Sequence, residues 1–263
     1  MLIVDKKILT CDIKEVYFSD NPHDIESCDF LKFYYCKNKV QVKGFTCQKE
    51  ITSTIDLTKN LDTIWKNMDN NSVRYRIKRA QKEGVKIKIN DGYEQFFQIY
   101  RSFRQKKGLK SLFDMFGVGA YTLDAMKKYG TLFLAEHEGE ILVGTLYLED
   151  EYNMKSWLGA SKRLEVDKAK ASMISCADRL IDWEAIQYAK EKGLEEYDLG
   201  GLWLKEEAEK DEKKRGMNNY KLSFGGEITN RYSYLKIYSK IYNIAYNLYI
   251  LKNLDSRKSD GRF

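Results

Sequence analysis

The chain has 263 residues, 43% hydrophobic and 32% charged, which excludes a disordered polymer and suffices for one large domain or two small ones. Its 45 basic and 39 acidic residues give a formal charge of +6, a mild excess that favours anionic partners (phosphorylated cofactors, nucleotide sugars, RNA, a membrane surface) without choosing among them. A single proline offers no linker, and five cysteines without a CxxC pair and only two histidines, His23 and His137, argue against a disulfide framework, a zinc site or a histidine triad.

The first residues hold an apolar run too short for a secretion signal, and charge follows at once. No stretch approaches the ~20 apolar residues of a membrane helix, so the expected compartment is the cytoplasm. Residues 32–36 and 39–46 read as short strands broken by polar Lys37-Asn38, and 53–57 as another. Thr58 is the expected cap of a helix carrying Leu61, Ile64, Trp65 and Met68 at helical spacing. A basic helix follows, with Val73, Ile77 and Ala80 on one face, Arg74, Lys78 and Lys82 on another, and Gly84 as its stop. Residues 85–89 alternate as a strand, and 94–107 and 121–128 read as helices. Strands over 131–136 and 141–148 join at Glu138-Gly139-Glu140, and 152–161 is a third strand. A long helix over 173–192 stops at Gly193, and a short strand over 196–199 ends at Gly200-Gly201. The charged stretch 205–215 reads as a solvated helix or loop. A last strand over 226–235 and a tyrosine-rich helix over 237–251 complete the chain. The order predicts a mixed α/β (α+β) fold.

Three segments carry a family resemblance. They are Leu180 through Gly193, then Tyr197-Asp198-Leu199-Gly200-Gly201, then Gly216 through Tyr220-Lys221-Leu222-Ser223-Phe224-Gly225-Gly226. In this order, after a basic helix of the form Arg-x-x-Ile-x-x-Ala-x-x-x-Gly, the chain resembles the FemAB-like branch of the GNAT acyltransferases. The resemblance implies a mostly antiparallel mixed sheet with helices on both faces. It covers residues 53–238, with 1–52 as a β-rich elaboration and 239–263 as a C-terminal helix and tail.

It also implies an N-acyltransferase acting on an amine of a cell-envelope precursor or amino sugar, without a metal. The donor is acyl-CoA or aminoacyl-tRNA. The glycine-rich phosphate loop of GNAT enzymes does not occur at the matching segment, Ser161 to Ser172, so both donors stay open. A charged tRNA is then one partner, and DNA is not.

By resemblance Lys221 is the first catalytic candidate, its ammonium placed to stabilise a developing oxyanion or a substrate carboxylate. Tyr220 stands where phenylalanine is usual and adds a hydroxyl able to give a proton. Its alternative is a core aromatic. Asp198 is a base, an orienting group or a partner of the following turn. Trp157, Gly159, Ala160, Gly200 and Gly201 would line the donor where the central strands splay, the glycines serving close approach or a turn. Arg74, Arg76, Lys78 and Arg79 form a phosphate- or RNA-binding set, or a solvated helix face. Asp182 and Glu184 are read as solvated and Trp183 as core. The terminal helix is read as docked on the domain, a homodimer seam or a membrane-surface element. Two other functions compete: a GNAT-fold binding module without catalysis, and a basic RNA-binding protein.

Overall fold

The structure is a computed structural model, and it describes residues 1–8, 10–107, 121–240 and 242–244. The chain divides into two compact units, Met1–Lys49 with the segment from Tyr232 onward, and Glu50–Arg231. Both divisions fall inside strands, Lys49/Glu50 within Thr46–Asp56 and Arg231/Tyr232 within Glu227–Ile237.

In the first unit β1 (Leu2–Ile8) pairs antiparallel with β2 (Cys11–Tyr17), and β2 runs parallel to β3 (Phe30–Cys36). The later residues of β10 (Glu227–Ile237) lie antiparallel to β3. Val16, Leu31, Phe33, Cys36 and Tyr234 form its core. The strand expected over 39–46 is instead irregular backbone, and β4 (Thr46–Asp56) begins where it was to end. Val40 is held by a side chain rather than a strand partner, its N–H donating to the Tyr234 hydroxyl at 2.7 Å.

The second unit holds the strand order β4, β9 (Glu196–Gly201), β8 (Asn153–Ser161), β7 (Glu140–Glu149), β6 (Thr131–His137) and β5 (Lys86–Ile89). All neighbours are antiparallel except β8 and β9. Both faces are covered, and β6 shows why its residues are apolar throughout. Phe133 and Ala135 enter a core with α1 (Leu61–Asn67), α2 (Tyr75–Lys82) and α5 (Lys168–Glu191). Leu132 and Leu134 enter a second core with α3 (Tyr93–Lys106) and α4 (Leu123–Tyr129).

Local chemistry sets the ends. The α1 cap is Asn60, not Thr58: Asn60 accepts from the Thr63 N–H at 2.8 Å, while Thr58 donates to Asp56. A π-type turn (Asn70–Arg74) opens the basic helix, and Val73, Ile77 and Ala80 are all buried. The β6–β7 turn puts Glu138 and Gly139 at φ 52° and 79°, the hairpin turn its sequence predicts. The charged stretch after β9, read as a solvated helix or loop, forms two helices, α6 (Lys205–Lys210) and α7 (Glu212–Leu222), the latter capped by Asp211. The proposed C-terminal helix lies largely outside the described residues. Among the described residues no helix is long and apolar enough to cross a membrane.

Candidate active site

Strands β8 and β9 are parallel, with α5 as the connection between them. Their ladder runs from Asn153–Glu196 to Lys155–Asp198 and ends there, while β8 continues to Ser161 beside β7. Trp157 has no cross-strand partner, since Leu158 faces Leu146 and Ser156 faces Tyr147. This bulge turns β8 just past the end of the ladder.

Two lysines and one aspartate meet at that end. The Lys155 ammonium donates to Asp198 Oδ2 at 2.7 Å, and both side chains are buried. Asp198 Oδ1 accepts from the Gly200 N–H at 2.7 Å and from the Thr52 hydroxyl. Desolvation pushes the Asp198 carboxyl up, but the Lys155 charge and these hydrogen bonds outweigh it, and its pKa lies below the ordinary value.

Lys221 comes from the last turn of α7. Its ammonium donates to the Gly201 carbonyl at 2.6 Å. Gly200 has φ 93°, and a Cβ there would stand 3.3 Å from Lys221 Nζ, so the glycine makes room for the lysine. Burial, then the nearby Lys155 charge, lowers the Lys221 pKa to about 8, with Asp198 and Asp182 opposing.

Tyr220 points the other way, into α5. Its hydroxyl donates to Asp182 Oδ2 at 2.6 Å, while Tyr147 and Tyr197 donate to Oδ1 at 2.8 and 2.7 Å. The Arg179 guanidinium lies 4.7 Å over the Tyr220 ring, held by the Ser72 carbonyl and by Ser175. Asp178, one turn before Asp182, is pushed up to about 7 by burial and by the Asp182 charge.

The structure thus gathers Lys221, Asp198, Gly200 and Gly201 at one place. The Tyr220 hydroxyl is bonded to Asp182. Trp157, Gly159 and Ala160 lie on β8 past the ladder end; Trp157 packs edge-on to Tyr121 at 4.4 Å, Gly159 is exposed and Ala160 is buried. The basic set is engaged with its neighbours. Arg76 donates to Ser175 at 2.9 Å and Arg79 to Ser172 at 3.2 Å, which ties α2 to α5. Arg79 also pairs with Glu83, Lys78 lies over Trp65, and Arg74 is half-buried. Gly225 and Gly226 serve packing, since a Cβ at Gly225 would fall 2.4 Å from the Asn67 carbonyl oxygen and one at Gly226 would fall 2.6 Å from Ser53 Oγ.

Sequence reasoning missed Lys155, Thr52, Asp178 and Arg179, and placed Asp182 in solvent, whereas it is buried. A carboxylate inside the run Leu180-Ile181-Asp182-Trp183, with aspartates at i and i+4, is the signal that marks it. Among the described residues no group of three His, Cys, Asp or Glu side chains is arranged to hold a metal.

No family model matches the chain, and no curated protein matches it. Solved structures do. FemX aligns with a TM-score of 0.61 at 13% identity over 92% of this chain and 85% of its own. The chain has the FemX fold. The C-terminal domain of a protein described as a lysylphosphatidylglycerol synthetase from Agrobacterium fabrum aligns at 0.55, with 14% identity over 95% of this chain and 84% of that one. L-PGS from Bacillus licheniformis aligns at 0.53, with 14% identity over 92% and 82%. The mixed sheet expected from the motifs, mostly antiparallel with helices on both faces, is therefore the architecture found.

Proposed function

We propose that this protein is an N-acyltransferase that moves an acyl or aminoacyl group onto an amine of a cell-envelope precursor or amino sugar. The observation that carries the reading is the desolvated Lys221 ammonium, set on the Gly201 carbonyl where the β8–β9 ladder ends. A donor carbonyl laid along the free edge of β8 would meet that cation. The acceptor nitrogen attacks, the carbonyl oxygen takes up negative charge, and Lys221 stabilises it in a water-poor place where such an interaction is strong. Collapse breaks the ester or thioester bond and leaves the amide; Lys221 gives its proton to the leaving oxygen or sulfur and regains one from the nitrogen that attacked. With its pKa at about 8, Lys221 is a cation at neutral pH and a better proton donor to the leaving group than an ordinary lysine. Asp198 acts by holding Lys155 and the glycine turn: three donors occupy its oxygens, and its lowered pKa makes it a poor base.

Aminoacyl-tRNA is the donor we favour. The segment matching the GNAT phosphate loop is filled by the chain's own carboxylates. Asp167 accepts from the Lys170 N–H at the start of α5, and Glu140 holds both Lys162 and Lys170. A diphosphate at that helix start would have to displace them.

Purified protein should transfer from a charged tRNA to an amine acceptor, and Lys221→Ala should lower the rate by about 100-fold or more with the fold intact by circular dichroism. Transfer by Lys221→Ala at the wild-type rate overturns the assignment.

A further inference from the structure

Asp182 takes no part in the transfer outlined above, yet it is buried and accepts hydroxyls from three elements: Tyr147 of β7, Tyr197 of β9 and Tyr220 of α7. We infer that Asp182 is a positioning residue for Lys221: through Tyr220 it pins the last turn of α7, and through its charge it keeps the Lys221 ammonium protonated. The inference rests on the reading of Lys221 as the transfer residue.

The tether follows from the chain itself. Tyr220 and Lys221 are consecutive near the end of α7, so their side chains diverge by about 100° around the helix. Fixing the Tyr220 hydroxyl on Asp182, with Arg179 over the ring, therefore fixes where the next side chain points. That direction is the Gly201 carbonyl.

The charge follows from the hydrogen bonds. Both Asp182 oxygens are filled by hydroxyl donors, and a proton on either would displace one of them. Burial raises both carboxyls, but the three hydroxyls favour the charged form of Asp182, so the proton the pair shares near neutrality goes to Asp178, pushed up to about 7 by burial and the Asp182 charge. Asp182 and Asp178 face the hydroxyls named above, with the cations Arg179 on α5 and Arg163 after β8 nearby. The charges that face Lys221 are Lys155 from β8, Asp198 from β9 and Asp182 from α5. Asp198 and Asp182 both hold the ammonium charged, Asp198 the more strongly; Asp182 is the one that does so while also holding Tyr220.

Charge and tether separate in two variants. Protein labelled with 13C at lysine Cε gives a Lys221 signal, assigned as the one lost in Lys221→Arg, and its titration is followed by NMR. The wild-type midpoint is expected near 8. Asp182→Asn keeps hydrogen-bonding atoms but removes the charge, and should lower the midpoint by about half a unit to one unit. Tyr220→Phe keeps the charge but cuts the tether, and should raise the midpoint as the ammonium gains water. A purely structural role moves both variants the same way, and that result, or two unchanged midpoints, overturns the inference. If Asp182→Asn does not fold, a midpoint that fails to rise in Tyr220→Phe overturns it alone. Wild-type protein silent with every donor would instead defeat the transfer reading and leave the midpoints standing.

Discussion

Replacing Lys221 with methionine should make the protein more stable at pH 7 while abolishing transfer. A lysine that titrates at about 8 instead of 10.5 pays for its charge in the folded state. That cost is about 3 kcal/mol. Methionine fills similar space without the charge, and loses the hydrogen bond that even a neutral amine makes to Gly201, worth about 1 kcal/mol. The net expectation is a gain of about 2 kcal/mol at pH 7. Because the folded-state pKa is depressed, the native protein binds fewer protons than the unfolded chain between about 8 and 10.5. Wild-type stability therefore climbs across that window relative to Lys221→Met, and is lost again as the pH falls through 8. By pH 10 the difference should have shrunk to near zero or reversed. Urea unfolding of both proteins at pH 7 and pH 10, read with unchanged m-values, measures it. A stability difference that is the same at both pH values would refute the reasoning, because it would mean that Lys221 is not a desolvated cation.

Two further substitutions test the frame around the site. Gly225→Ala should cost on the order of 2–5 kcal/mol, combining a left-handed backbone with a methyl driven into the Asn67 carbonyl; a urea-derived loss below about 1 kcal/mol would show that α1 can move aside. Asp198→Ala takes from buried Lys155 its carboxylate partner and strips Thr52 and the Gly200 N–H of their acceptor, so it should lose about 3–5 kcal/mol. A thermal melt matching wild type would mean that Lys155 is satisfied without Asp198.

Periodicity carried most of the second unit. Ile77 and Ala80 repeat at helical spacing because one helix face meets α5, and β6 is apolar along its length because both of its faces are covered. Boundaries were less legible where chemistry competed locally. Thr58 and Asn60 are both good caps, and the choice went to Asn60 because Asp56 engages the Thr58 hydroxyl. The residues at 39–46 have strand composition, but composition does not provide a neighbouring strand.

The sequence by itself determined the order of elements from β4 to β9, the turns that need glycine at Gly139 and Gly200, and the motif that singles out Lys221. Only the tertiary structure decided what Lys221 is. Its lowered pKa comes from burial and from Lys155, a residue 66 positions away that no local pattern connects to it. The same holds for Tyr220 and Asp182. A tyrosine on one helix and an aspartate on another become partners only when the sheet brings β7, β9, α5 and α7 to a single point. Hydrophobic periodicity is written along the chain, whereas electrostatics acts through space, and the site is made of the second kind of information.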